Sequence, residues 1–374
     1  WFFMTLALTS SVFPIGDFAF EHRMYLPLAA PVCLAVIGGY RAIEAGLSRC
    51  RVPSAGAAVV GWGIAAVLLV SAGWLTALRN TDYRSEVGMW RDVIAKRPEN
   101  CRAQAALAGA LLQDRAVEEA EVVSRRLLDA VGAREGGGRR GYRLSAYMAT
   151  HYRRIALHGV GRALMGQGRF AEASDFFQKA RELGGNGVSD YYLAQAFCCL
   201  GRDEESVMAC EAALAHEPRS AEAHVLMGFL KERAGRYAEA ATGYRKALDI
   251  SPGHMSAGCQ LAWLLATCPE ETLRDGPEAV RLAEAVCRDT GGFSWRALDV
   301  LAAACAETGD FTRAVRTTEK AVSMASERLD MYRGAPGPAQ WAEEEVHLSG
   351  RASVEAMKKR IALYREGRPY RDER

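Results

Sequence analysis

The chain has 374 residues, 49% of them hydrophobic and 25% charged. That balance excludes a disordered polar chain, and 36 Gly with 12 Pro in no fixed period exclude a collagen-like fibre. A formal net charge of +2 lacks the basic excess that marks a nucleic-acid binder, so no nucleic-acid partner is expected.

The charges are laid out unevenly. Residues 1–79 hold five basic side chains (Arg23, Arg41, Arg49, Arg51, Arg79) and three acidic ones (Asp17, Glu21, Glu44), which leaves 42 of each sign in residues 80–374. The first stretch has the composition of a membrane domain and the second that of a charge-balanced helical region. The expected organisation is the end of a transmembrane helical domain over 1–79, a solenoid over 80–330, and a capping helix with a polar tail over 331–374.

In chain order, Trp1–Ile15 is apolar from its first residue, as expected for the end of a span begun upstream. Tyr25–Leu47 follows as a second span. Gly56–Leu78 runs 23 residues without a charge, about 35 Å as a helix, enough for the ~30 Å hydrocarbon core of a bilayer. Trp62 and Trp74 stand near its ends, where aromatic rings anchor at the interface. Two to three transmembrane helices are therefore expected, in a bacterial inner membrane. The basic residues on the two sides of the last span oppose each other, and the balance favours an extracytoplasmic polar region. Between the first two spans, Asp17–Pro27 concentrates titratable side chains. Glu21, His22 and Arg23 are its candidate polar site, with Arg23 suited to a lipid phosphate; a solvated turn with Glu21 pairing Arg23 is the alternative.

Beyond residue 80 the chain repeats. Gly168-Arg-Phe-Ala-Glu-Ala173, Gly201-Arg-Asp-Glu-Glu-Ser206, Gly235-Arg-Tyr-Ala-Glu-Ala240 and Gly309-Asp-Phe-Thr-Arg-Ala314 align, and Gly201 to Gly235 is 34 residues, as is Pro218 to Pro252. This resembles the tetratricopeptide repeat (TPR), a pair of helices with small residues at positions 8, 20 and 27 and Pro at 32. In 221–254 those positions hold Gly228, Ala240, Ala247 and Pro252, with Tyr244 at position 24. Residues 187–220 hold Ala194, Ser206, Ala213 and Pro218; residues 154–187 hold Gly161, Ala173, Phe177 and Ala180; the last unit holds Ala302, Ala314 and Ala321. A lone second helix ending at Pro98, an irregular unit from Cys101 with a Gly136–Gly141 loop, and a unit over Met255–Gly292 with an extra loop at Cys268 complete about six pairs. The fold class expected is all-α: a TPR solenoid preceded by transmembrane helices. One pair cannot bury its own apolar face, whereas a stack can.

No catalytic or phosphate-cradling motif is present, and no cofactor is expected. The ten Cys follow the repeat and are expected as packed thiols; a Cys268–Cys287 disulfide and a zinc site are lesser alternatives. Repeat positions 2, 5, 9 and 12 of the first helix face the groove in TPR proteins. Positions 5 and 9 give His158 and Arg162, Tyr191 and Gln195, Val225 and Phe229, Cys259 and Trp263. Tyr191, Phe229 and Trp263 form a candidate aromatic stripe for an extended peptide or a helix; packing against the neighbouring pair is the competing role. Position 5 runs His, Tyr, Val, Cys, Asp, so the Lys/Asn/Arg clamp by which some TPR domains hold a terminal carboxylate is absent.

Ser11-Val-Phe-Pro14, Glu21-His-Arg-Met-Tyr-Leu-Pro27, the hydrophobic segments that follow, Trp90-Arg-Asp92 and Pro98-Glu-Asn100 together resemble bacterial multi-pass membrane proteins with C-terminal TPR arrays. These in turn are similar to the transmembrane-and-TPR protein O-mannosyltransferases of the GT-C class. The resemblance implies a polyprenyl-phosphate sugar as lipid-borne donor and a protein acceptor presented by the array. Its catalytic acids belong to a loop that this sequence does not contain, so no catalytic residue carries over. Two functions follow as expectations: the interaction module of such a transferase, or a non-enzymatic membrane-anchored TPR adaptor for envelope proteins.

Overall fold

The computed structural model describes residues 85–135, 144–184, 187–332 and 354–372, with isolated helical positions at Arg41, Gly63, Val67 and Trp74. The three expected spans, the Glu21–Arg23 loop and the Gly136–Gly141 loop lie outside the described residues, apart from those isolated positions. Among the described residues, no helix is long and apolar enough to cross a membrane. The chain divides into two compact units, residues 1–89 and 90–374.

The described residues form fourteen α-helices and no strand. α1 is Glu86–Lys96. Six pairs follow: α2 (Cys101–Gln113) with α3 (Val117–Glu135), α4 (Ala146–Gly166) with α5 (Phe170–Glu182), α6 (Gly187–Cys199) with α7 (Asp203–His216), α8 (Ala221–Arg233) with α9 (Tyr237–Ile250), α10 (Met255–Thr267) with α11 (Gly276–Asp289), and α12 (Trp295–Glu307) with α13 (Phe311–Tyr332). α14 (Val354–Arg365) packs on α13. Each helix of the stack packs chiefly on its neighbours in sequence, as in a quasi-one-dimensional array.

Local chemistry sets the boundaries. Asn100, Ser145, Ser220 and Ser294 stand at the N-caps of four first helices, and their side chains accept from Ala103, Met148, Ala223 and Ala297 N–H. The turn inside a pair needs one left-handed residue. Gly168, Gly201, Gly235 and Gly309 supply it at φ of 74°, 72°, 72° and 83°; in the first pair Arg115 adopts φ 60° instead. The residue after that glycine is Arg in three pairs, and each of these arginines pairs with a Glu three residues on: Arg169–Glu172, Arg202–Glu205 and Arg236–Glu239. The longer connection after α10 carries a 3₁₀ turn over Glu271–Leu273 before Asp275 caps α11.

The core explains the small repeat positions. A Cβ on Gly161 would stand 2.5 Å from the ring of Phe177, and one on Gly228 2.7 Å from the ring of Tyr244. Both rings are fully buried. Position 8 is therefore empty where position 24 is aromatic. Where position 8 is Ala194 or Ala302, position 24 is the smaller Cys210 or Thr318, also fully buried. The volume is shared between the two helices of a pair, and close packing holds at each level of the stack.

Candidate functional site

The first helices carry the candidate residues, and these fall into two stretches. On α4, α6 and α8 they lie half-buried or exposed. His158 Nε2 is hydrogen-bonded to the Ser189 hydroxyl at 2.8 Å, joining α4 to α6, and its ring lies 6.2 Å from Phe177 and 6.0 Å from Tyr192. Burial, with Arg154 and Arg162 nearby, lowers its pKa from 6.5 to about 4. Arg162 is exposed, with its guanidinium 5.5 Å over the Tyr192 ring. Gln195 donates to the Tyr191 hydroxyl at 2.9 Å. Burial, then the Glu222 carboxylate on α8, raises the Tyr191 phenol. Phe229 is half-buried beneath the Arg233 guanidinium, 5.8 Å from its ring centre. Arg233 in turn donates to Cys198 O at 3.3 Å and pairs with Asp203 at 3.2 Å, tying α8 to the α6/α7 pair. The result is a set of ring–ring and ring–guanidinium contacts spread over three repeats. Tyr192 and Arg233 belong to it, although neither occupies repeat position 5 or 9.

The second stretch, on α10 and α12, differs. Trp263 is 3% exposed. Its indole N–H donates to Asp372 Oδ2 at 3.0 Å, and its ring lies 6.0 Å from that of Tyr370. Arg360 of α14 is buried beside both rings, 5.2 Å from Trp263 and 5.4 Å from Tyr370, and pairs with Asp299 of α12 at 2.6 Å. Burial drives the Asp299 carboxyl upward against the pull of Arg360. The segment after α14 turns back over the C-terminal ends of α10 and α12. Asp372 N donates to Thr267 O at 3.0 Å, Arg371 Nη1 to Ala266 O at 3.4 Å and to Glu307 Oε2 at 2.6 Å. These bonds satisfy carbonyls that the end of an α-helix leaves open and place a cation at its negative pole. Asp299 is the Asp that the sequence placed at repeat position 5 without a role, whereas nothing in the repeat pattern singled out Glu307.

The described cysteines form no disulfide, Cys268 and Cys287 included. Burial raises the thiols of Cys210 and Cys259 to about 12, which leaves them protonated and inert. Among the described residues no three His, Cys, Asp or Glu side chains converge as a metal site.

Comparison with known proteins agrees with the repeat. The family described as Tetratricopeptide repeat matches residues 189–254, which are α6 to α9. No curated protein matches the chain in sequence. Among solved structures, YrrB, described as a TPR protein with an unusual peptide-binding site, is similar at 19% identity over 56% of this chain and 95% of its own, with a TM-score of 0.36. A thermophilic TPR protein of Thermus thermophilus is similar at 18% identity over 47% and 94%, with a TM-score of 0.40. A tetratricopeptide repeat protein of Parabacteroides merdae is similar at 17% identity over 74% and 96%, with a TM-score of 0.43. Residues 189–254 match the tetratricopeptide-repeat family, and the helix pairs on either side continue the same all-helical stack.

Proposed function

We propose that the array is a protein-interaction module whose first helices on α4, α6 and α8 take an extended peptide bearing apolar and acidic side chains. The observation that carries this reading is the set Arg162, Tyr192, Tyr191, Gln195, Phe229 and Arg233, in which three aromatic side chains over three repeats have a guanidinium at either end. Rings supply area at low entropic cost, and guanidinium groups orient carboxylates. A membrane anchor through residues 56–78 is part of the proposal, supported by their uncharged length. An O-glycosyltransferase parent, with a polyprenyl-phosphate sugar and the Glu21–Arg23 loop near it, rests on the sequence resemblance alone. The non-enzymatic adaptor has the same array and needs no transferase.

The test is selection of peptides from a displayed random library on the full chain. Enriched peptides should carry acidic and apolar residues, and they should bind at least tenfold more weakly to Phe229→Ala and Arg162→Ala variants of unchanged thermal stability. Peptides whose affinity ignores both substitutions would overturn the assignment of this face.

A further inference from the structure

We propose that the first-helix face over α10 and α12 is a second binding site, one that accepts an extended aromatic–arginine–aspartate segment, and that the chain's own Tyr370-Arg371-Asp372 occupies it in cis and exchanges with peptides of the same chemistry. The inference deepens the reading above and rests on it, since it takes the same face of the array as the ligand face.

Each residue of the triplet meets its own receptor. The Tyr370 ring lies against Trp263 and Arg360. The Arg371 guanidinium bonds the Glu307 carboxylate and the Ala266 carbonyl. Asp372 takes the Trp263 indole N–H on its carboxylate and gives its backbone N–H to Thr267 O. Aromatic, cationic and anionic side chains are thus each recognised, with a main-chain bond holding the register. That is how an extended peptide is read by a groove.

The receptor keeps its charges paired when the segment leaves. Glu307 retains Arg274, whose Nε donates to Oε1 at 3.0 Å, on the carboxylate oxygen that Arg371 does not use. Arg360 retains Asp299. Among the groups uncovered, the Trp263 indole N–H and the Ala266 and Thr267 carbonyls are ones that water can serve. An unpaired buried charge, the large cost in breaking a core contact, does not arise.

The segment also has a hinge. α14 is held independently by Met357, Ile361 and Tyr364, all buried, and by the Arg360–Asp299 pair. Beyond its last residue, Arg365, Gly367 takes φ 69°, with Arg368 N bonded to Leu363 O at 3.0 Å. Residues 365–368, just beyond Tyr364, are exposed. Rotation after Gly367 frees the triplet while α14 stays docked.

The test uses the full chain and a variant lacking residues 367–374, with the amidated synthetic peptide Gly-Arg-Pro-Tyr-Arg-Asp as fluorescent probe. The shortened chain should bind the peptide at least tenfold more tightly than the intact chain does, and Glu307→Gln in the shortened chain should weaken that binding at least tenfold. A full-length Arg371→Glu/Asp372→Lys variant, which keeps every residue in place, should bind the unaltered peptide as the shortened chain does. Equal binding by intact and shortened chains, or no binding by any variant that melts within a few degrees of the parent, overturns the proposal. So does loss of the folded array in both variants, which would make the segment a structural cap. Binding abolished by Phe229→Ala and indifferent to Glu307→Gln would overturn this site and leave the α4–α8 reading standing.

Discussion

The indole N–H of Trp263 and the carboxylate of Asp372 lie 3.0 Å apart across 109 residues of sequence, and they place in the core an aromatic side chain whose repeat position suits either a groove or a core. Trp263→Ala is therefore expected to act as a core deletion. It removes a large buried ring, uncovers the flat face of Arg360, and should cost about 3–5 kcal/mol of unfolding free energy. Trp263→Phe, which keeps most of the ring, should cost about 1–2 kcal/mol, mainly through the lost bond to a charged acceptor. Urea denaturation of the two variants checks this; a loss under about 1 kcal/mol for Trp263→Ala would return the ring to the solvent face.

Gly228 and Tyr244 share one volume. Gly228→Ala drives a Cβ to 2.7 Å from a fully buried ring whose hydroxyl donates to Glu232 at 2.7 Å, and should cost about 1–3 kcal/mol by overpacking. The neighbouring pair solves the same problem with Ala194 and Cys210. Combining Gly228→Ala with Tyr244→Cys should thus be less damaging than the sum of the single changes, by about 1 kcal/mol or more in a double-mutant cycle. Strict additivity would show that the two positions do not exchange volume.

Arg115 stands at φ 60° where four other pairs place glycine. A side chain there opposes the left-handed backbone, and Arg115→Gly should raise stability by about 1 kcal/mol even though glycine costs more entropy in the unfolded chain. Thermal or urea unfolding decides it. A loss of stability on that substitution would mean that the arginine's side-chain contacts outweigh the strain.

His158 makes the array sensitive to acid. Its folded pKa of about 4 lies below its ordinary 6.5, because burial and the neighbouring Arg154 and Arg162 disfavour the imidazolium. Between those values the unfolded chain binds the proton and the folded chain does not. The stability owed to the neutral ring is complete above pH 6.5 and is lost as pH falls toward 4, by at most about 3 kcal/mol. The stability difference between the parent and His158→Gln should shrink over that window; a difference flat with pH would dissociate the ring from the effect.

The pattern of helix pairs was legible in the residues because it is local. A glycine permits the left-handed turn, a Ser or Asn caps the helix that follows, and small side chains at positions 8, 20 and 27 let two neighbouring helices meet; each of these acts within one 34-residue repeat. The same local period assigned Arg162, Tyr191, Gln195 and Phe229 to first helices, and they stand on α4, α6 and α8. What period and spacing could not assign was the role of Trp263. An aromatic residue at repeat position 9 suits a groove and a core equally well, and the choice depends on what covers it. The covering segment, Tyr370 to Asp372, and the helix before it pair through contacts of long sequence separation: Trp263 with Asp372, Glu307 with Arg371, Asp299 with Arg360. No periodicity encodes such pairs. Sequence alone determined that helices would pair and stack. Only the tertiary structure decided that Trp263 is covered, because covering it requires the chain to fold back on itself.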